Sequence, residues 1–241
     1  MSVLALRLAG PLQAWGSGSR FVRRATEMAP TKSGVIGLVA AAKGLRRSDP
    51  LEELLGLRLG VRIDQPGQLV RDFQTARRSR KERDGSVRWS SLPLSYRYYV
   101  GDAVYLVLLE GGRSLLDGLD AAVRSPVFPL YLGRRSCPPA GPVALGVFDH
   151  ILDSALAELP WQAGQHRQRR VRERTVRLET MRDAAPGEPL AETVHDEPVS
   201  FDPHRRLYAW RSVVRGSVLV DNPRGVAEPT GEHDPMPALG G

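Results

Sequence analysis

Two stretches of this 241-residue chain concentrate side chains that could do chemistry. Residues 71–83 (RDFQTARRSRKER) hold six basic and two acidic side chains, and residues 166–177 (HRQRRVRERTVR) hold six basic and one acidic. Together they exceed the net charge of +7 carried by the whole chain, so the remainder is a slightly acidic body with two basic segments. Only Lys32, Lys43 and Lys81 are lysine; every other cation is arginine. Arginine offers a planar fork of donors that fits phosphate and stacks on bases. A GC-rich genome would also raise arginine content. Clustering favours a polyanion footprint over a solvated face.

Smaller constellations stand beside these segments. Thr31-Lys32-Ser33-Gly34 lacks the glycine spacing of a Walker A loop. It suits a helix N-terminus, either simply capped or offering free N–H groups and Lys32 to a phosphate. In LGRRSCPP (132–139), Gly133 permits a close backbone approach, and Arg134 and Arg135 are a phosphate clamp or part of a plain surface turn. Cys137 is the single cysteine and reads as structural; alone it excludes an internal disulfide and a multi-cysteine metal site. The five histidines lack zinc-ligand spacing. G-x-S-x-G and H-E-x-x-H are absent, and so are clustered carboxylates at the apolar strand ends. His166 alone lies in a neighbourhood where a general base for metal-free RNA cleavage would work, although a phosphate contact or a solvated residue fits it as well.

Some framework must position these residues. A chain of 26.5 kDa is one large domain, or one domain with an appendage. An apolar fraction of 41% and a charged fraction of 25% exclude collagen-like, disulfide-scaffold and fully disordered classes. No apolar run reaches membrane-span length. The N-terminus reads as a buried strand rather than a signal peptide, so no membrane role and a cytoplasmic location are expected.

VLALRLA (3–9) is a strand, apolar on both faces save Arg7, and Gly10-Pro11 ends it. A loop carrying Arg20, Arg23 and Arg24 follows. A helix starts at Thr31 and can end at Gly44; a shorter one spans 50–56. LRLGVRID (57–64) alternates, which predicts a half-buried strand with Arg58 and Arg62 on the polar side. QLVRDFQTA is a further strand. Asp84-Gly85 is a hairpin turn, so 74–100 forms a basic and aromatic arm with Trp89, Tyr96, Tyr98 and Tyr99. A buried strand (103–111), an amphipathic helix (114–126) and a strand (143–149) complete the order β-α-β-β-(arm)-β-α-β. This is the α+β split βαβ, ferredoxin-like plan, which is also that of the RNA-recognition motif with its open sheet face. Residues 1–150 are expected to form that domain, 151–221 a smaller strand-rich subdomain, and 222–241 a disordered tail.

LRLAGPLQAWG (6–16), PTKSGVIGLVAAAKGL (30–45), RDFQTA (71–76) and YLGRRSCPPAGPV (131–143) stand in order and in register. Over residues 3–220 they resemble the CasD-type subunits of the type I-E CRISPR Cascade complex, members of the RAMP superfamily. The resemblance implies a modified ferredoxin-like domain with a projecting thumb, matching the arm. It implies a non-catalytic RNA-binding role: capping the 5′ handle of the CRISPR RNA beside the CasC backbone subunit and the large subunit CasA, and touching target DNA only through the complex. No cofactor and no metal are implied. Related subunits of another subtype cleave precursor RNA, so a metal-independent endoribonuclease is the alternative. On this reading Arg20, Arg23, Arg24, Lys32 and Ser33 line one side of a groove. Arg71, Gln74, Thr75, Arg77 and Arg78 lie at the arm's base, and Arg134, Arg135 and Ser136 form a third wall. Splayed bases would stack on aromatics or arginine planes. Trp15 is a possible platform, or core.

Overall fold

Strands β1 (Ser2–Ala9) and β9 (Val104–Gly111) pair antiparallel along their full length and are buried on both faces. Both are near-continuous apolar runs, as a strand covered from two sides requires. The computed structural model that shows this describes residues 1–16 and 23–226. Around the central pair, β10 (Ala144–Phe148) joins β1 and β4 (Arg58–Gln65) joins β9. The order β10-β1-β9-β4 is that of the split βαβ plan.

The two crossover helices, α1 (Lys32–Lys43) and α3 (Arg113–Arg124), pack together on one face of this sheet. In α1 the Thr31 hydroxyl accepts from the N–H of Gly34, and Gly44 ends the helix at φ 82° in the left-handed region. Gly34 is needed because a Cβ there would lie 2.8 Å from the Trp15 ring. Trp15 is 1% exposed and belongs to the core. A four-residue helix, α2 (Glu52–Leu55), leads into β4.

The opposite face differs from the RNA-recognition plan. Helix α4 (Leu152–Glu158) lies across it, burying Leu152, Ala155 and Leu156 against Val3, Ala5, Leu106 and Leu108. Each such leucine contributes about 1.5–3 kcal/mol by leaving water. The approach is so close that a Cβ at Gly60 would meet Leu152 at 2.8 Å. The sheet face that would stay open in an RNA-recognition motif is therefore closed here. Arg62, expected on a polar face, is fully buried beneath this cover. Its guanidinium binds Asp64 at 2.7 and 2.9 Å and donates to the carbonyls of Leu156, Leu159 and Pro160, the orphan acceptors at the end of α4. Burial pushes the Asp64 carboxyl upward, and Arg62 opposes that shift.

The sheet continues past residue 150. After α5 (Gln165–Arg170), β11 (Thr175–Asp183) pairs with β4, and β13 (Leu207–Asp221) and β12 (Glu192–Ser200) follow outward. All seven strands make one antiparallel sheet. The expected division at 150 thus marks no break in it: the C-terminal third extends the first sheet instead of closing its own. Residues 222–226, assigned to the expected tail, are packed against the body. Asn222 and Val226 donate their N–H groups to Arg174 and Arg172, and the Asn222 side chain is buried against the carbonyls of Gln168, Val171 and Glu173. Residues 227–241 of that tail lie outside the described residues.

A second, four-stranded sheet forms at the end of β4 and β9. It contains β2 (Leu12–Gln13), β3 (Arg23–Arg24), β5 (Gln68–Gln74) and β8 (Ser95–Gly101), with β8 paired on one side to β5 and on the other to β2 and β3. From it runs a ribbon of β6 (Arg77–Lys81) and β7 (Val87–Ser91), exposed along its whole length. The turn holds Gly85 at φ 85°, and Asp84 accepts from the Ser86 N–H at 2.9 Å and its hydroxyl at 2.6 Å. No helix among the described residues is long and apolar enough to cross a membrane.

Candidate RNA interface

Side chains alternate along a strand, so β5 and β8 sort their residues onto two faces. Arg71 and Phe73 share a face with Tyr96 and Tyr98, their cross-strand partners in register. On that face Arg71 lies over the Tyr96 ring at 5.5 Å and Arg23, from β3, over the Tyr98 ring at 5.2 Å. The ribbon adds a third pair, Arg77 over Trp89 at 5.7 Å. Phe73 is 63% and Trp89 56% exposed. A cation held over a ring beside exposed aromatics leaves ring faces on which a splayed base can stack.

The reverse face carries Gln74 and Arg97, with Arg24 beside Arg97 in register on β3. Like charges on neighbouring strands repel. Arg97 Nε is buried without a hydrogen-bond partner among the described residues. Asp72 on β5 stands opposite Arg97 in register, so this face carries two arginines and a carboxylate, with the Arg97 Nε donor left for a further acceptor. Thr75 and Arg78 are exposed where β5 passes into the ribbon.

Several residues expected to line a groove do other work. Lys32 is 6% exposed and its Nζ lies 3.0 Å from Asp183 and 2.8 Å from Glu197. Its backbone N–H donates to Asp196 at 2.8 Å, so a carboxylate of the chain itself already occupies the N-terminus of α1. Arg211 completes the cluster against Asp183 and Asp196. Burial pushes the Glu197 carboxyl up, opposed by Lys32. Ser33 is buried in the same place, its hydroxyl 3.5 Å from that of Thr31. Lys32 and Ser33 are therefore buried away from the proposed groove, and Lys32 fixes α1 to β11 and β12. The sequence carried no signal for this, because the acids come from 150 residues downstream.

Arg134 is likewise committed. It donates to the carbonyls of Tyr98, Arg24 and Ala25 at 3.0 to 3.1 Å and lies over the Tyr99 ring at 5.0 Å. It ties the 132–139 loop to the second sheet and is no free phosphate clamp. Gly133 has φ 92°, and a Cβ there would fall 1.8 Å from the Ala14 carbonyl oxygen. The close approach is real but made to the chain's own backbone. Arg135 is exposed, and Ser136 sits 3.4 Å from the Tyr99 hydroxyl. Cys137 is buried, and burial raises its thiol above the ordinary value. Arg20 lies outside the described residues.

The structure thus places Arg23, Arg24, Arg71 and Gln74 on the second sheet, Arg23 and Arg71 on one face and Arg24 and Gln74 on the other, with Thr75, Arg77 and Arg78 at the root of the ribbon, and separates Lys32 and Ser33 from them. Sequence reasoning left Phe73, Tyr96, Tyr98, Trp89 and Arg97 out of the site, although period-two alternation in SYRYYV and VRDFQ would have placed all but Trp89. His166 is exposed on α5, away from the arm's strands.

Comparison with known proteins agrees with this architecture. A family model described as CRISPR-associated protein (Cas_Cas5) matches residues 3–214. The CRISPR system Cascade subunit CasD of Escherichia coli (strain K12) is 35% identical over 159 residues, spanning 60% of this chain and 70% of its own. A solved structure described as a Cas protein superposes with a TM-score of 0.70 at 35% identity, covering 94% of this chain and 99% of that one. A chain from a CRISPR RNA-guided surveillance complex superposes with a TM-score of 0.72 at 28% identity, covering 95% of both.

Proposed function

This chain belongs to the CRISPR-associated Cas5 family, and on that premise we propose that it is a non-catalytic RNA-binding subunit of a CRISPR surveillance complex, capping the 5′ handle of the CRISPR RNA. The observation that carries the reading is a row of three arginine–aromatic pairs on the second sheet and its ribbon: Arg23 from β3 over the half-buried Tyr98, Arg71 over the exposed Tyr96, and Arg77 over the exposed Trp89. Single-stranded handle nucleotides would stack on these planes. Their phosphates would meet Arg24, Arg78 and Arg97, and Gln74 would read a base edge. The arm is the thumb of the subunit, and the backbone and large subunits flank it. Target DNA is reached through the assembled complex.

The test incubates the purified protein, without metal, with CRISPR repeat RNA whose handle is intact or scrambled. Binding and cleavage are read by filter retention and on a denaturing gel. Intact RNA is bound, the scrambled handle more weakly, and no cleavage occurs. Arg71→Ala with Arg77→Ala weakens handle binding by about 1–3 kcal/mol for each stacked base released and lowers the salt slope by roughly 0.7 for each phosphate left without its arginine. Equal binding of both RNAs would overturn the handle reading. Specific cleavage that disappears in His166→Ala would replace it with the endoribonuclease.

A further inference from the structure

The second basic segment is not used by the arm, and its surroundings are distinct. Helix α5 and the start of β11 present Arg167, Arg169, Arg170, Arg172, Arg174 and Arg177, all exposed. Among the described residues none of the six forms an ion pair, whereas Arg58, Arg62, Arg182 and Arg211 all do. Among the described residues these six have no carboxylate partner, Arg177 donating only to the Ser217 hydroxyl at 3.0 Å.

They are also held in place. Asn222 and Val226 bind the backbone at 171–174, and Gly225 comes so near that a Cβ there would lie 2.4 Å from the Glu173 carbonyl oxygen. At the foot of the same helix a cleft of about 540 Å³ is lined by Arg7, Gln162, Gln165, Gln168 and Arg224, beside Trp161 and Pro223. Residues 167–177 include no Phe, Tyr or Trp, and Trp161, in the lining of the cleft, is 3% exposed. This contrasts with the arm. A surface that takes splayed bases needs planes to stack on. One that offers only forks of positive charge reads phosphates whose bases are turned inward.

We infer that the α5–β11 belt, with the Arg7–Arg224 cleft at its foot, is a second nucleic-acid surface, which binds the phosphate backbone of a duplex without reading sequence. It goes beyond the handle-capping role and does not depend on it. The chain would then touch a duplex directly as well as hold single-stranded RNA.

The test measures binding of the full chain to a short blunt-ended duplex DNA over a salt series, beside single-stranded handle RNA. Arg169→Ala/Arg170→Ala/Arg174→Ala should lose at least about tenfold in duplex affinity at low salt, with the salt slope falling by roughly 0.9 for each phosphate no longer neutralised. Handle RNA binding should hold. Arg169→Lys/Arg170→Lys/Arg174→Lys should restore most of the duplex affinity, since lysine still meets phosphate as a point charge. The arm variant Arg71→Ala/Arg77→Ala should leave duplex binding unchanged whether or not it affects RNA. Duplex binding indifferent to the belt variant would overturn the inference and leave the belt to an acidic protein face. A loss that lysine does not restore, or duplex binding lost in the arm variant instead, would overturn it too.

Discussion

Arg62 and Arg71 sit on consecutive strands, β4 and β5, yet one is fully buried and the other lies open over a tyrosine. The difference is their neighbours. Arg62 meets a carboxylate and three helix-end carbonyls, so its donors are satisfied out of water. Arg71 meets a ring and solvent. Lys32 belongs with Arg62. Its charge is matched by Asp183 and Glu197 inside the fold, and removing it strands buried carboxylates. Lys32→Met should therefore cost on the order of 3 kcal/mol in urea denaturation. It should leave handle RNA affinity, measured on the folded fraction, unchanged. A loss of RNA affinity without a loss of stability would return Lys32 to the binding groove.

The arm is an element with little packing of its own. Strands β6 and β7 are exposed on both faces and are held by their ladder and by the Asp84–Gly85 turn. The Asp84 carboxyl is held below its ordinary value by the Ser86 hydroxyl and N–H. Because a two-stranded ribbon is marginal alone in water, its conformation should be set by what lies against it. Deleting 78–88 and joining β5 to β8 by a short turn should leave the fold's thermal midpoint nearly unchanged, since no core residue is removed. Guide RNA should still be retained through Arg71, Tyr96, Arg23 and Tyr98, with altered nuclease protection beside the handle. Unaltered protection would mean that the ribbon packs on a neighbouring subunit and does not touch RNA.

At the scale of the whole molecule, a set of ion pairs fastens the C-terminal strands to the ferredoxin-like half. Lys32 on α1 makes that link through Asp183 and Glu197, while within the C-terminal third Arg182 on β11 pairs with Asp153 on α4 and with Glu188, whose carboxyl it holds down at about 2. A carboxyl depressed on folding contributes stability above its ordinary value near 4.5, and that contribution is lost as pH falls toward 2. Melting temperatures of the native chain and of Glu188→Gln should differ at neutral pH and converge across this window; a constant gap would mean that the Glu188 charge does not contribute through Arg182. Much of this molecule was legible in its residues. The N-cap Thr31 and the stop at Gly44, the doubly buried strands, the Asp84–Gly85 hairpin and the order β-α-β-β-β-α-β all follow from local rules of propensity, period and turn chemistry. These rules act between residues close in sequence, so a single chain displays them. The two basic segments are as plain, because charge needs no partner to be seen. What tertiary structure alone decided is where charge ends up. The cover of α4 over Arg62, the acids that capture Lys32 and the carbonyls that hold Arg134 all come from distant parts of the chain. An arginine's donors are the same in every setting, and only the packing of remote segments determines whether they are spent inside the fold or left for a ligand.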